Sequence, residues 1–374
     1  MLYLDHAATS PVRPEVREAM LPYLSGAFGN PSSHHTVGEA ASGALEDARA
    51  RVARALGMRT GDVVFTAGGT EANNLALKGI VLASSRRHLV VSPIEHESIL
   101  ESAAYLQRLH DVQVSHPAVD SSGRITPDAL AAVLREDTAL VSFGHANNEI
   151  GTVQDAVALA AVAHSAGAVV HLDAVQSAGW LPLTGLDADA ISIAGHKLGA
   201  PQGTGALAVH GRIPLEPLIH GGGQERGRRS GTENVAGAVG LALALELAEA
   251  ERDAVASAVA ERTRAFIDGV LSAVPQAALT GDPLRRLPAT ASFTFAGTSG
   301  EAVLLELERR GVVSSSGSAC AAGSDEPSHV LLACGIAPEV AQTSVRFTFG
   351  RSPLPAEAPG RLAALVADAV RAVG

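Results

Sequence analysis

Between residues 63 and 210, short apolar runs alternate with stretches whose apolar positions recur at helical spacing. Val63-Val-Phe-Thr, His88-Leu-Val-Val-Ser, 112–114, 139–143, 168–172, 190–194 and 205–210 read as strands. The segments between them predict helices reaching Lys78, near 98–109, from about Thr126, and over 156–166. Ahead of this region, Pro14 suits the first turn of a helix reaching about Leu24. Residues 36–56 carry Val37, Ala41, Leu45, Ala48, Val52 and Leu56 on one face and stop at Gly57. Short apolar runs alternating with helices predict an α/β fold with a mostly parallel sheet covered on both faces.

The pattern changes after Gly231-Thr-Glu-Asn. An alanine-rich amphipathic region over 235–274 predicts two helices. Strands near 290–295, 312–314 and 344–349 then alternate with helices over 301–310, 328–333 and 356–373. A serine- and glycine-rich loop occupies 315–327. This predicts a large domain over 14–256 and a smaller α+β domain formed by 1–13 with 257–374. A chain of 374 residues is long enough for two packed units.

Composition narrows the function classes. The net charge of −11 argues against direct nucleic-acid binding, although Arg226, Arg228 and Arg229 form a local basic cluster. The chain is 47% hydrophobic, with a mean hydropathy of +0.19 and no uninterrupted apolar run of membrane length. The start, Met-Leu-Tyr-Leu-Asp-His, has no signal-peptide character, and a cytoplasmic location is expected. Two cysteines, Cys320 and Cys334, are too few for a disulfide framework, and no metal site is expected.

Polar residues gather just after the predicted strands, where open α/β sheets bind ligands. Of 28 basic residues only Lys78 and Lys197 are lysines. Lys197 ends Ser-Ile-Ala-Gly-His-Lys and is either a surface turn lysine or an amine able to form a Schiff base. Gly68-Gly-Thr70 is an ordinary turn and cap or, at a helix start, an anion cradle. Asp173 closes a buried strand, where a carboxylate needs a positive partner. Together these three match the needs of pyridoxal phosphate (PLP): an amine for the aldehyde, a carboxylate for the pyridine nitrogen and a helix start for the phosphate.

Other candidates have two readings each. Gln176 either caps a helix or reaches the same ligand. His96 is either a loop residue or lies over a ring as acid and base. Asn147-Asn148-Glu149 either forms an Asx turn or offers an amide. Arg346 is either half of a buried ion pair or a clamp for a carboxylate. Cys320, among small residues, is an accessible thiol nucleophile or a bystander. Cys334 sits in apolar surroundings and reads as core.

Taken with Tyr3-Leu-Asp-His-Ala-Ala-Thr, Gly29-Asn-Pro-Ser-Ser, Phe65-Thr-Ala-Gly-Gly-Thr-Glu, Glu95-His and Asn147-Asn-Glu-Ile-Gly, the chain resembles a known family. Asp173-Ala-Val-Gln, Gly195-His-Lys, His220-Gly-Gly-Gly-Gln-Glu, Arg229-Ser-Gly-Thr, Ser315-Ser-Gly-Ser-Ala-Cys and Val345-Arg-Phe extend the match in order. It is similar to cysteine desulfurases of the NifS/IscS type, in the class V aminotransferase group of fold-type I PLP-dependent transferases. The resemblance implies conversion of L-cysteine to L-alanine, with sulfur held as a persulfide on Cys320. PLP would sit as a Schiff base on Lys197, which also serves as base. Asp173 would pair with the pyridine nitrogen, Gln176 with the ring oxygen, and His96 would stack on the ring and move protons. Asn148 would contact cofactor or substrate, and Arg346 the substrate carboxylate. Gly69, Thr70, Ala194, Gly195 and His196 would surround the phosphate, with Thr232 reaching it from the second subunit of a homodimer. Ala194 departs from the serine many relatives carry there. The chain ends at Gly374 without the longer tail by which some relatives dock a scaffold protein.

The expected partner is a sulfur acceptor, either an iron–sulfur scaffold or a tRNA- or cofactor-thiolation enzyme. Selenocysteine lyase and class V aminotransferase activities are the nearer alternatives, and a non-catalytic PLP- or phosphate-ligand binding protein is the further one.

Overall fold

The computed structural model describes residues 1–316 and 326–374; Cys320 lies outside the described residues. The strands are β1 Leu2–Tyr3, β2 Val63–Thr66, β3 His88–Val91, β4 Gln113–Ser115, β5 Thr138–Gly144, β6 Val169–Asp173, β7 Ala190–Ala194, β8 Gly205–Val209, β9 Ala277–Leu279, β10 Thr290–Phe295, β11 Val312–Val313 and β12 Val345–Thr348. The helices are α1 Pro14–Leu24, α2 Thr36–Leu56, α3 Gly69–Ala83, α4 Glu97–His110, α5 Pro127–Ala131, α6 Ala156–Ser165, α7 Val235–Ala250, α8 Arg252–Ala273, α9 Gly300–Arg309, α10 His329–Ala333, α11 Pro338–Ala341 and α12 Ala358–Val373.

Among the described residues the main sheet has seven strands in the order β2-β8-β7-β6-β5-β3-β4. Strands β4, β3, β5, β6 and β7 run parallel, while β8 is antiparallel to both β7 and β2. Helix-covered parallel strands must be apolar on both faces, and Ala190–Ala194 is buried at every position. Inside this stack the His171 ring is bonded at both nitrogens, by Ser142 (2.9 Å) and Ser192 (2.8 Å). Burial drives its pKa down to about 3, so it is a neutral strut.

Helix α2 matches its predicted bounds because its local signals agree. His35 caps the first turn by accepting from Gly38 N (3.2 Å). Gly57, at φ 67°, ends the helix by donating to Ala53 and Arg54 carbonyls. Its buried face (Leu45, Ala48, Val52, Leu56) packs into a core shared with α7 and the central strands. Full burial of such a Val or Leu is worth about 1.5–3 kcal/mol.

A second core forms around β10 and β12, with α8 and α12 over it. There Phe266 meets Phe347 edge to face at 5.1 Å between centroids. Strands β12-β10-β9 form an antiparallel sheet, and β1 pairs in parallel with β11. The predicted helical region over 235–274 breaks at Glu251, which accepts a fork from Arg13 (2.8 and 2.9 Å) and a bond from Arg351 (3.2 Å). Strand β9 and helix α11 have three and four residues, too short for a periodic signal, and the sequence reading omits them.

Candidate active site

A cavity of about 1440 Å³ opens where β5, β6 and β7 end, bordered by Gly144, Asp173 and Ala194. Lys197 closes a short turn after β7, and its Nζ donates to the carbonyls of Ala7 and Ala8 (2.7 Å to the latter). The segment at residues 5–10, which turns at 6–8, therefore borders the site. Gln176 Nε2 donates to Ala7 O (3.1 Å), and His196 Nδ1 lies 3.3 Å from Thr9 Oγ1. Burial and the Lys197 charge lower the His196 pKa to about 4, so a neutral ring faces the cavity near pH 7.

Asp173 is the last residue of β6 and is 9% exposed. Val175 N donates to Oδ1 (2.9 Å) and Asn73 Nδ2 to Oδ2 (2.7 Å). Burial nevertheless raises the carboxyl pKa, against these bonds and the nearby charges of His96 and Lys197. A cationic N–H on the cavity side would offset that cost.

Helix α3 begins at the same wall with no side chain capping it. Its first N–H groups thus carry the positive end of the helix dipole toward the cavity. A Cβ on Gly69 would stand 2.8 Å from Val175 and 3.3 Å from Ala194, so only glycine allows this approach. Thr70 borders the cavity beside it.

His96 caps α4, its Nδ1 accepting from Ser98 N (3.0 Å), and the residue borders the cavity. Asn147 forms the Asx turn, accepting from Glu149 N (2.8 Å) and Ile150 N (3.0 Å) through Oδ1. Asn148, like Asn147, borders the cavity.

Arg346, in β12, is 2% exposed. Nη1 donates to Asn148 O (2.8 Å) and Nη2 to Asp5 Oδ1 (2.7 Å). Its Nε is buried with no partner among the described residues. The buried ion pair is present, and the residue also borders the cavity.

Two predicted residues stand apart. Gly195 is packed under the turn, where a Cβ would collide with Thr204 Oγ1. Thr232 lines a separate cavity of about 210 Å³ that shares Ala67 and Gly203 with the large one. Cys334 is buried beside Ile94 and Ile150, its thiol pushed up to about 11.

Glu95 and Asn73 were not singled out from sequence. Glu95 precedes His96 and is wholly enclosed, with Oε1 accepting from Gly144 N (2.9 Å). Burial, aided by the Asp173 charge, raises its pKa from 4.5 to about 8. The folded protein therefore holds a proton that the unfolded chain releases above about pH 4.5, and stability falls as pH rises toward 8. Glu95→Gln should remove up to about 1.4 kcal/mol per pH unit of that decline. Melting curves of the two proteins should coincide near pH 4.5 and separate in favour of Glu95→Gln by pH 8. Parallel curves would contradict the buried neutral carboxyl.

The donor set fits PLP: a lysine amine, an enclosed carboxylate and an uncapped helix start bound one cavity. A lysine and a carboxylate at neighbouring strand ends of this sheet define a PLP-dependent transferase of fold type I. The chain belongs to the class V aminotransferase family, which it matches over residues 2–353. Within that family its relatives are named as desulfurases. It is 43% identical over 353 residues to "Cysteine desulfurase IscS" of Dictyoglomus turgidum, covering 93% of this chain and 89% of that protein. Among solved structures, a "NIFS-LIKE PROTEIN" is similar over the full length of both chains, with a TM-score of 0.91 and 32% identity. "SspA in complex with cysteine" is similar with a TM-score of 0.81 and 33% identity, covering 95% of this chain and 100% of that one.

Proposed function

We infer that this chain is a PLP-dependent cysteine desulfurase that releases L-alanine from L-cysteine and holds the sulfur as a persulfide on Cys320. The observation that carries the reading is the convergence of Lys197, Asp173 and the uncapped start of α3 on one cavity, with Arg346 bordering it. Bound PLP supplies an electron sink that makes the substrate Cα proton acidic and the carbon–sulfur bond breakable. The chain's own residues then have separable tasks.

Lys197 anchors the cofactor and afterwards takes the Cα proton. Asp173 holds a proton on the pyridine nitrogen, and Gln176 bonds the ring oxygen. Gly69, Thr70 and His196 hold the phosphate, with Ala194 and Gly195 shaping the turn behind it. Arg346 offers Nε to the substrate carboxylate while Asp5 and Asn148 O fix the rest of the guanidinium. Asn148 contacts the substrate end, and His96 donates a proton to the departing alanine unit. The Cys320 thiolate attacks the substrate sulfur; the new S–S bond forms as the Cβ–S bond breaks, its electron pair passing to carbon.

Thr232 serves the cofactor phosphate of a second copy, which fits its place outside the large cavity. Exposed Leu21, Leu24, Phe28 and Val37 supply apolar surface for such a homodimer. Among the described residues no helix is long and apolar enough to cross a membrane, and the reading places the enzyme in the cytoplasm. The sulfur then passes to an acceptor protein for iron–sulfur cluster assembly or for tRNA or cofactor thiolation.

The test is a product assay on purified, PLP-loaded protein. Alanine and sulfide (released by a thiol reductant) should appear in equal amounts from L-cysteine without any keto acid. Amino-group exchange with a keto acid in place of sulfide would reject the desulfurase reading.

A further inference from the structure

Asn73 lies on α3, one turn beyond the Gly69–Thr70 cradle, and is 2% exposed. Its single amide nitrogen makes two bonds, to Asp173 Oδ2 at 2.7 Å and to Ser98 Oγ at 3.0 Å. Ser98 Oγ is in turn 2.9 Å from His96 Nδ1. Three elements, α3, β6 and α4, thus meet through one side chain.

The direction of each bond follows from chemistry. An amide nitrogen only donates, so both Asn73 hydrogens are committed, one to Asp173 and one to Ser98. The Ser98 oxygen, already accepting, turns its own hydrogen toward His96 Nδ1. The Ser98 backbone N–H also points at Nδ1 (3.0 Å). With two donors on Nδ1, the neutral imidazole carries its proton on Nε2 and keeps one ring orientation.

We propose that Asn73 is a positioning residue that couples Asp173 to His96 through Ser98, fixing the carboxylate and the imidazole tautomer together. The proposal rests on the roles assigned to His96 and Asp173 above. It adds a group at the cavity wall that acts through Asp173 and Ser98. Where such hydrogen-bonded supports orient metal ligands, replacing them costs about 10–100-fold in activity, and an effect of that order is expected here.

The experiment uses PLP-loaded enzyme with ¹⁵N-labelled histidine, the His96 signals being assigned by difference against His96→Gln. Wild type should show Nδ1 unprotonated and Nε2 protonated. Ser98→Ala should alter the His96 signals and leave the cofactor absorbance unchanged. Asn73→Ala should alter both, with kcat lowered about tenfold or more and KM little changed. The near-isosteric Asn73→Asp, which keeps the side-chain volume, should also alter both, because it offers Ser98 an acceptor and Asp173 a second carboxyl. Asn73→Ala combined with Ser98→Ala should alter the His96 signals no more than Ser98→Ala alone.

Asn73 variants that fold and lose activity while His96 signals and cofactor absorbance stay at wild-type values would overturn the coupling. Wild-type turnover by His96→Gln would overturn the acid–base reading, and the coupling with it.

Discussion

Lys197→Ala is expected to lower turnover of L-cysteine by about four orders of magnitude or more, and to give protein that loses PLP on gel filtration. The cause is chemical, because no other lysine stands in the cavity. Lys78, the chain's second lysine, bonds Asn74 and lies over Tyr105 at 4.3 Å on α3. The substitution removes the donor that Ala7 and Ala8 carbonyls share. Leaving such acceptors to water costs about 1 kcal/mol, so the variant should fold and melt within a few degrees of wild type. Lys197→Arg should be as inactive, since guanidinium stays protonated and cannot bind the aldehyde. Measured turnover with retained PLP absorbance in either variant would remove Lys197 from its assigned place.

The second large effect is expected at Cys320. Cys320→Ser should lower sulfide release at least about a thousandfold, because an alcohol cannot accept sulfur as a persulfide. Cofactor absorbance should remain, since the groups that bound the cofactor cavity are Lys197, Asp173 and the start of α3. Adding L-cysteine should still perturb that absorbance in the variant, separating substrate binding from sulfur transfer. A Ser variant that turns over like wild type would assign the sulfur to another acceptor. Cys334 is a poor substitute: it is 8% exposed, with its thiol pushed up to about 11.

Much of the architecture is legible along the chain. Helix α2 is bounded by a capping His35 and a left-handed Gly57, and its apolar spacing needs no tertiary help. Strands β6 and β7 announce themselves as mostly apolar runs because both their faces are covered, and their polar members His171 and Ser192 bond each other. Asp173 is legible because a carboxylate ends a buried strand, and Lys197 because it is one of only two lysines in the chain.

Other parts are not legible, and the reasons are physical. The pairing of Asp5 with Arg346 joins positions 341 residues apart, a separation no local pattern encodes. Asn73 on a helix surface reads as solvent-facing; only the packing of α3 against β6 turns its amide inward. Its spacing of three from Thr70 is the one hint, since that places both on one helical face. Glu95 reads as the neighbour of a functional histidine, and its enclosure under Gly144 emerges only from the sheet.

The segment at residues 5–10 has a consequence for how the enzyme comes into being. Its carbonyls hold Lys197, its Asp5 holds Arg346, and β1 just before it pairs with β11. These residues leave the ribosome long before the strands they dock on exist. The wall of the cavity made first in synthesis is therefore completed only when β11 and Arg346 exist. Nascent chains stalled before residue 312 should bind PLP poorly even with the main sheet complete, and the enzyme's maturation should be timed by the emergence of its final strands.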